Sequence, residues 1–373
     1  MAIDHYYHLG RSGLRVSRLA LGTMTFGNKG IRGIKGAWGS DEQTARSIFQ
    51  RYVQAGGNFI DTADSYGEGL SESLLGQFVA EAGLRDQVVI STKFSNSLQP
   101  GNPNAGGNGR KSMMRAVDAS LRRLRTDYID LYLLHTWDRV TPAEEVIRGF
   151  DDLVRAGKIR YWGLSDVPGR AQTWAELHGL SQPACLQLPY SLVERSIEQE
   201  FVPLAHALGL GITAWSPLAM GLLSGKYQGR DPGEGRLALD QSGSGLGLFT
   251  DRNQRILGIL HDASATLGRS MAQIALNWAV SQPSIASAIV GARSVEQLNV
   301  NMAALAFSLP DDVLLDLAEA SRIELAHPYT LFADDYQAGV LNAGVTVGDK
   351  PDGYATRTFL PKVTDYAFGR SRM

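Results

Sequence analysis

Short apolar runs alternate along this chain with longer segments whose apolar positions recur at helical spacing. The runs are residues 18–22, FID at 59–61, VVIST at 88–92, IDLYLL at 129–134, IRYWGLS at 159–165, CLQL at 185–188, GITAWS at 211–216 and ASAIVG at 286–291. Helical patterns lie near 42–55, 71–82, 112–125, 143–156, 170–178, 198–208, 270–281 and 294–306. Runs this short and apolar read as strands covered by helices on the outside. Eight such strands linked by helical crossovers predict an α/β fold, a single (β/α)8 TIM barrel; a doubly wound sheet is the alternative. YYHLGRSGLRVSRLALG, 6–22, predicts an N-terminal β-hairpin with a Gly-containing turn, leading into the first barrel strand.

Two long segments break the rhythm. Residues 95–111, SNSLQPGNPNAGGNGRK, follow the third barrel strand, and residues 228–250 follow the seventh. Both are rich in Gly and polar residues, which predicts loops at the C-terminal face of the barrel, where lids belong. LPDDVLLDLAEASRI, 309–323, predicts an extra outer helix entered through Pro–Asp–Asp. The chain thus divides into a barrel over 1–323 and a C-terminal extension over 324–373. That extension has aromatics, Gly and Pro without a period, and leaves a pocket cover, an interface and a loose tail all open.

Composition narrows the setting. A net charge of −2 over 373 residues gives no global field for nucleic acid or a membrane surface. Cys185 is the single cysteine, so no intrachain disulfide forms, which fits a reducing compartment. The N-terminal stretch MAIDHYYHLGRSGLRV has no apolar signal core, and no run is long enough for a membrane span. A cytoplasmic protein is expected, with a homo-oligomer left open.

Candidate chemistry sits at the ends of the strands. Asp61 and Tyr66 lie in NFIDTADSYGEGLSESLLG, Lys93 in VVISTKF and His135 in DYIDLYLLHTWD. Each alone has a plain structural reading: a helix cap, a packed ring, a strand end in solvent, a buried imidazole bonded to backbone. Together, on three strand ends of one barrel, they form an acid–phenol–ammonium–imidazole site suited to donating a proton. Such a site suits reduction of a carbonyl by a bound hydride donor. Other motifs are decoys. GGNGRKS, 106–112, lacks the Gly before Lys111 and the leading strand of a phosphate loop, and GSGLG, 243–247, lacks the third Gly of a dinucleotide fingerprint. No HExxH or spaced Cys/His set suggests a metal, and the other six histidines, His178 and His261 among them, read as surface residues.

At this point the chain resembles the aldo-keto reductases, over about residues 6–322. The likeness is carried in order by LALGTMTFG, FIDTADSYGEGLSESLLG, SLRRLRTDYIDLYLLHTWD, WGLSD, LQLPYSLVER, AWSPLAMGLLSGKY and IVGARSVEQLNVN. It is strongest to the aryl-alcohol-dehydrogenase-like and potassium-channel-β-like branches. The resemblance implies a barrel that binds a nicotinamide cofactor across its C-terminal face without a Rossmann domain. It implies Tyr66 as the general acid, or the base for alcohol oxidation. A free phenol with a pKa of about 10 holds its proton too tightly at neutral pH, and an ammonium beside it favours the phenolate. Lys93 takes that role, Asp61 neutralises Lys93, and His135 donates a hydrogen bond to the substrate oxygen.

The same resemblance implies the cofactor residues. Thr23 and Met24 fall at the nicotinamide ribose, with Asp61 also a cofactor contact; Ser165, Asp166 and Gln187 at the carboxamide; and Trp215 against the nicotinamide ring. Ser216, Pro217, Leu218, Gly221 and Lys226 follow the pyrophosphate, with Arg236 closing a loop over it. Gly291, Arg293, Gln297 and Asn301 hold the adenosine end. An arginine at 293 suits a ribose phosphate, because its planar fork grips phosphate oxygens, so NADPH is favoured over NADH. Two positions depart from the family pattern: Asp166 stands where Asn is frequent, and Val300 where Glu is frequent before the final Asn. Met24, Phe26, Phe94 and Trp137, with Trp38, are expected to form an apolar substrate rim. The expected activity is reversible NADPH-dependent reduction of an aldehyde or ketone. The alternatives are a cofactor-loaded regulatory subunit, or physiological oxidation of a sugar or aromatic alcohol. The channel subunits carry Asn at the histidine position, and this chain keeps His135.

Overall fold

The computed structural model describes residues 3–27, 39–166, 179–227, 237, 246–333, 336–343 and 345. The helix expected near 170–178, most of the loop expected over 228–250, Trp38, Arg236 and residues 346–373 lie outside the described residues. A two-stranded antiparallel hairpin, β1 (Tyr6–His8) and β2 (Arg15–Ser17), opens the chain. Eight parallel strands follow: β3 (Leu19–Gly22), β4 (Phe59–Asp61), β5 (Val89–Phe94), β6 (Ile129–Leu134), β7 (Ile159–Ser165), β8 (Cys185–Pro189), β9 (Gly211–Trp215) and β10 (Ile285–Gly291). They close in sequence order, with β10 pairing both β9 and β3. The expected eight-stranded barrel is therefore the observed one.

Helices Glu42–Gln54, Leu70–Ala82, Arg110–Leu124, Ala143–Arg155, Phe201–Leu208, Met271–Ser281 and Val295–Met302 surround it, each within a few residues of its expected position. Their starts are set locally. The Asp41 side chain accepts from the Thr44 amide, and Ser270 and Gln273 form a reciprocal capping box. The sequence reading assigns no helix to Asp251–Leu267, where the structure has one. Only four of its residues are buried, Asn253, Ile256, Leu260 and Ala263, so its apolar stripe is too thin to stand out beside the Gly-rich segment before it. Helix Asp311–Ala320 is the expected outer helix.

Strand parity sets two cores. Leu19, Leu21, Ile60, Ile90, Tyr132 and Leu134 face outward into the layer under the helices. Ala20, Phe59, Val89, Leu131, Leu133 and Cys185 face inward, where Leu9 and Val16 of the hairpin join them and plug the floor. Above this apolar floor the inward positions turn polar: Asp61, Ser91, Lys93, Ser165, Gln187 and Thr213 are all buried. The strands thus carry a dry base and a polar upper layer, and that layer lies toward their C-terminal ends. Among the described residues no helix is long and apolar enough to cross a membrane.

Candidate active site

Asp61 ends β4 and pairs in register with Gly22 and Ser91. Lys93 lies two residues beyond Ser91 on the same inward face of β5 and is fully buried. Its Nζ donates to Asp61 Oδ2 at 2.6 Å and to the Thr62 carbonyl at 2.6 Å. Burial alone would pull the Lys93 pKa down, but the Asp61 charge and Tyr66, with their hydrogen bonds, hold it above its ordinary value. The other carboxylate oxygen of Asp61 accepts from Ser91 Oγ at 3.1 Å and Gln187 Nε2 at 3.0 Å. The acid is therefore bonded on both oxygens, and it points one of them at the ammonium.

Tyr66 heads a short 3-10 turn, Tyr66–Gly69, whose Gly67 and Glu68 have φ of 55° and 57°. Gly69 follows at φ 92°, a left-handed conformation that strains any other residue, and a Cβ there would meet Arg123 Cδ at 2.7 Å and have to displace it. The turn swings the Tyr66 ring back over the barrel, with Lys93 Nζ 5.2 Å from its centroid. His135 follows β6 and sets its ring edge-on to Tyr66, centroids 6.0 Å apart at 80°. Burial, and then the Lys93 charge, push the His135 pKa down to about 3, so the imidazole is neutral across the physiological range. Asp61, Tyr66, Lys93 and His135, widely spaced in sequence, converge at one end of the barrel. Their arrangement offers a charged lysine under a phenol, beside a neutral imidazole.

A second polar cluster lies beneath the Tyr66 turn. Glu72 is fully buried and accepts from Thr92 Oγ1 and Arg123 Nε, both at 2.6 Å. Asp64 is buried close to it, with Oδ1 accepting no hydrogen bond. Burial, with the Glu72 charge adding to it, raises the Asp64 carboxyl to about 8, against the opposing charge of Arg123.

The expected cofactor residues form an arc from β7 around to β3. Asp166, at φ 48°, follows Ser165 and accepts from Trp215 Nε1 at 3.4 Å. Burial raises the Asp166 pKa, and hydrogen bonds from Trp215 and Ser165 partly offset this. Gln187 lies between β7 and β9 and reaches Asp61, so the proposed carboxamide group and the tetrad share a partner. Beyond Trp215, Ser216 has φ 53°, Pro217 is buried and Leu218 is half-buried. Gly221, at φ 94°, lets Lys226 fold across it, since a Cβ there would meet Lys226 Cε at 2.5 Å. Gly291 ends β10 in the open, and Arg293 is exposed. Gln297 accepts from the Arg293 amide at 2.9 Å, and Asn301 donates to the Gly291 carbonyl at 3.4 Å. Val300 is exposed, at 42%.

Two expectations change. Phe94 is fully buried and stacks on Tyr132 at 5.3 Å. Strand parity is the reason: Lys93 faces inward, so its neighbour faces the helices and cannot line a substrate rim. Phe26 is 1% exposed and packs on Phe78, again away from the opening. The Thr23 hydroxyl contacts the Asp61 carbonyl at 3.2 Å and Ser71 Oγ at 2.8 Å, so it ties strand end to helix start. Met24 and Trp137 are half-buried. Ser91 and Asn96 are contacts that the sequence reading leaves out. Ser91 was legible, because it shares the inward face of Lys93 at a spacing of two. Asn96 gave no such signal, since Asn in a Gly/Asn/Pro segment reads as turn chemistry.

A profile of the Aldo/keto reductase family matches residues 18–322. The "Uncharacterized oxidoreductase YrpG" of Bacillus subtilis (strain 168) is 38% identical over 323 residues, covering 83% of this chain and 93% of its own. A "Probable voltage-gated potassium channel subunit beta" of Oryza sativa subsp. japonica is 37% identical over 310 residues, covering 80% and 90%. "Norsolorinic acid reductase stcV" of Emericella nidulans is 32% identical over 337 residues, covering 87% and 84%.

Proposed function

This chain belongs to the aldo/keto reductase family, an oxidoreductase family, and we propose that it reduces an aldehyde or ketone to an alcohol with NADPH, reversibly. The observation that carries this reading is the convergence of Tyr66, the Asp61–Lys93 pair and His135 at one barrel end. Tyr66 gives its proton to the carbonyl oxygen. The Lys93 ammonium, kept charged by Asp61, steadies the phenolate that remains. Neutral His135 orients the same oxygen by donating a hydrogen bond. General acid catalysis of this kind contributes about a hundred- to ten-thousand-fold.

The donor set along the mouth fits a nicotinamide dinucleotide: an aromatic face at Trp215, polar groups at Ser165, Asp166 and Gln187, and cations at Lys226 and Arg293. Bound there, the cofactor supplies the hydride. Ser216, Pro217, Leu218 and Gly221 give the chain between ring and phosphates, and Gly291, Gln297 and Asn301 the adenosine end. Arg293 favours NADPH, through a charge-assisted hydrogen bond that its guanidinium would donate to a ribose phosphate. Asp166 can accept from a carboxamide NH2 but donates only when protonated, so it selects one orientation of that amide. Met24 and Trp137 are the rim residues we retain. The catalytic unit spans residues 1–323, and 324–373 are an extension; its described part meets the barrel where Tyr329 donates to Glu200 at 3.1 Å.

A relative named as a channel subunit raises a second reading, a cofactor-loaded regulatory subunit. His135 favours turnover over that role. The test is a spectrophotometric screen of NADPH consumption over aromatic aldehydes, sugars, methylglyoxal and hydroxy-ketones. Turnover of at least one class is expected. NADPH binding without turnover of any would favour the regulatory reading.

A further inference from the structure

We propose that Asn96 is a positioning residue that fixes the tautomer of His135, so that Nε2–H faces the substrate oxygen. The proposal rests on the carbonyl-reduction reading above, and its test separates the two. Asn96 stands in the first turn of the loop after β5 and is exposed. Its Nδ2 lies 3.1 Å from Ser65 Oγ and 3.4 Å from His135 Nδ1. An amide nitrogen carries two protons, one for each partner. Donation to Nδ1 makes that nitrogen the acceptor of the ring. The neutral imidazole must then carry its proton on Nε2.

The consequence matters because this imidazole is neutral. A protonated histidine donates from both nitrogens and needs no tautomer control. A neutral one donates from a single nitrogen, and the wrong choice presents a lone pair to the carbonyl oxygen. The main chain around His135 is held independently. Its amide donates to the Phe94 carbonyl at 2.9 Å and contacts Ser95 Oγ at 3.2 Å. Asn108 Nδ2 bonds Ser95 Oγ and the Thr136 carbonyl, and Asn108 Oδ1 accepts from the Asp138 amide at 2.7 Å. These bonds place the residue, and Asn96 is left to set the ring. Asn96 also grips Ser65, the neighbour of Tyr66, so one side chain links the proton donor's turn to the orienting imidazole.

Asn96→Asp reverses the chemistry with almost no change in shape. A carboxylate accepts only, so it captures Nδ1–H and leaves Nε2 bare until the ring takes a second proton. The charged groups facing His135 from the packed elements are Lys93 on β5 and, when ionised, Tyr66; Asp138, on its own loop, is engaged by Asn108 and Thr141. Against that background the variant gains a new pH limb: active when the ring is doubly protonated at acid pH, and impaired at alkaline pH. Removing one donor to the reacting oxygen costs about a hundred- to a thousand-fold in kcat.

The first readout needs no turnover. Nitrogen-15 NMR of histidine-labelled protein, with His135 assigned by difference from His135→Asn, distinguishes the protonated from the unprotonated ring nitrogen. Nδ1 unprotonated in the wild type, and protonated in Asn96→Asp, is the expected result. Nδ1–H in the wild type overturns the proposal. So does an Asn96→Asp enzyme whose tautomer and pH profile match wild type, with 4-nitrobenzaldehyde and NADPH as the probe pair. A wild type that holds the expected tautomer but never oxidises NADPH sinks the reductase reading and leaves the positioning role standing.

Discussion

Replacing Asp61 with Asn tests the electrostatic base of the site. Lys93 is fully buried, and its ammonium lies 2.6 Å from Asp61 Oδ2. At that separation and an effective dielectric of about 20, the attraction is about 6 kcal/mol, most of it offset by the cost of desolvating both charges. An Asn cannot satisfy all three donors that Asp61 now accepts. If its oxygen serves Ser91 and Gln187, its NH2 faces the Lys93 ammonium. Leaving the ammonium unpaired should cost about 3–5 kcal/mol of stability near neutral pH. The protein can relieve this only by shedding the Lys93 proton, which puts the folded pKa in the variant below its unfolded value of about 10.4. Relative to wild type, whose Lys93 pKa is raised, the deficit is full below that lowered pKa and shrinks as pH rises from it toward the wild-type value. Urea denaturation of wild type, Asp61→Asn, Lys93→Met and the double variant, at about pH 7 and pH 9.5, measures this. A coupling of about 3 kcal/mol is expected, with the Asp61→Asn deficit smaller at the higher pH. Additive single effects, or a pH-independent deficit, would refute the argument.

Three further outcomes follow from the site. His135→Asn should lower the hydride-transfer rate by at least about a hundred-fold while NADPH still binds; lost stability with unchanged specific activity would make His135 a structural residue only. Arg293→Ala should weaken NADPH about ten- to a hundred-fold, from the loss of one charge-assisted hydrogen bond of about 1.5–3 kcal/mol, and leave NADH nearly unchanged. Quenching of Trp fluorescence reports both, and equal weakening of the two would remove Arg293 from phosphate recognition. Asp64→Asn should stabilise the protein progressively as pH rises. The buried Asp64 carboxyl is raised to about 8, so ionising it costs folding energy between its unfolded pKa of about 3.9 and that value. A gain of about 2–5 kcal/mol near pH 8 and almost none near pH 4 is expected from denaturation curves. An equal gain at both pH values would show that ionisation is not the cause.

The barrel was legible because each strand is a short run bounded by turns and each is followed by a helical stripe. FID, VVIST and IDLYLL mark β4, β5 and β6 almost to the residue. The site was legible for the same reason: Asp61, Lys93 and His135 interrupt or end apolar runs, where a barrel places its chemistry. What failed was parity and local detail. Phe94 was assigned to the rim although its neighbour Lys93 already claimed the inward face. Phe26 lies on a loop, where no period tells inside from outside. The helix Asp251–Leu267 buries too few apolar residues to declare itself. Asn96 acts through a contact between two loops that no spacing rule connects.

The central claim is that Tyr66 supplies the proton that completes carbonyl reduction. The most direct measurement is single-turnover NADPH oxidation by Tyr66→Phe against wild type, with cofactor affinity measured in parallel. The phenyl ring keeps the packing against His135 and loses only the hydroxyl. The account predicts a rate lowered by about a hundred- to ten-thousand-fold with NADPH affinity nearly unchanged. A variant that transfers hydride at close to the wild-type rate would contradict it.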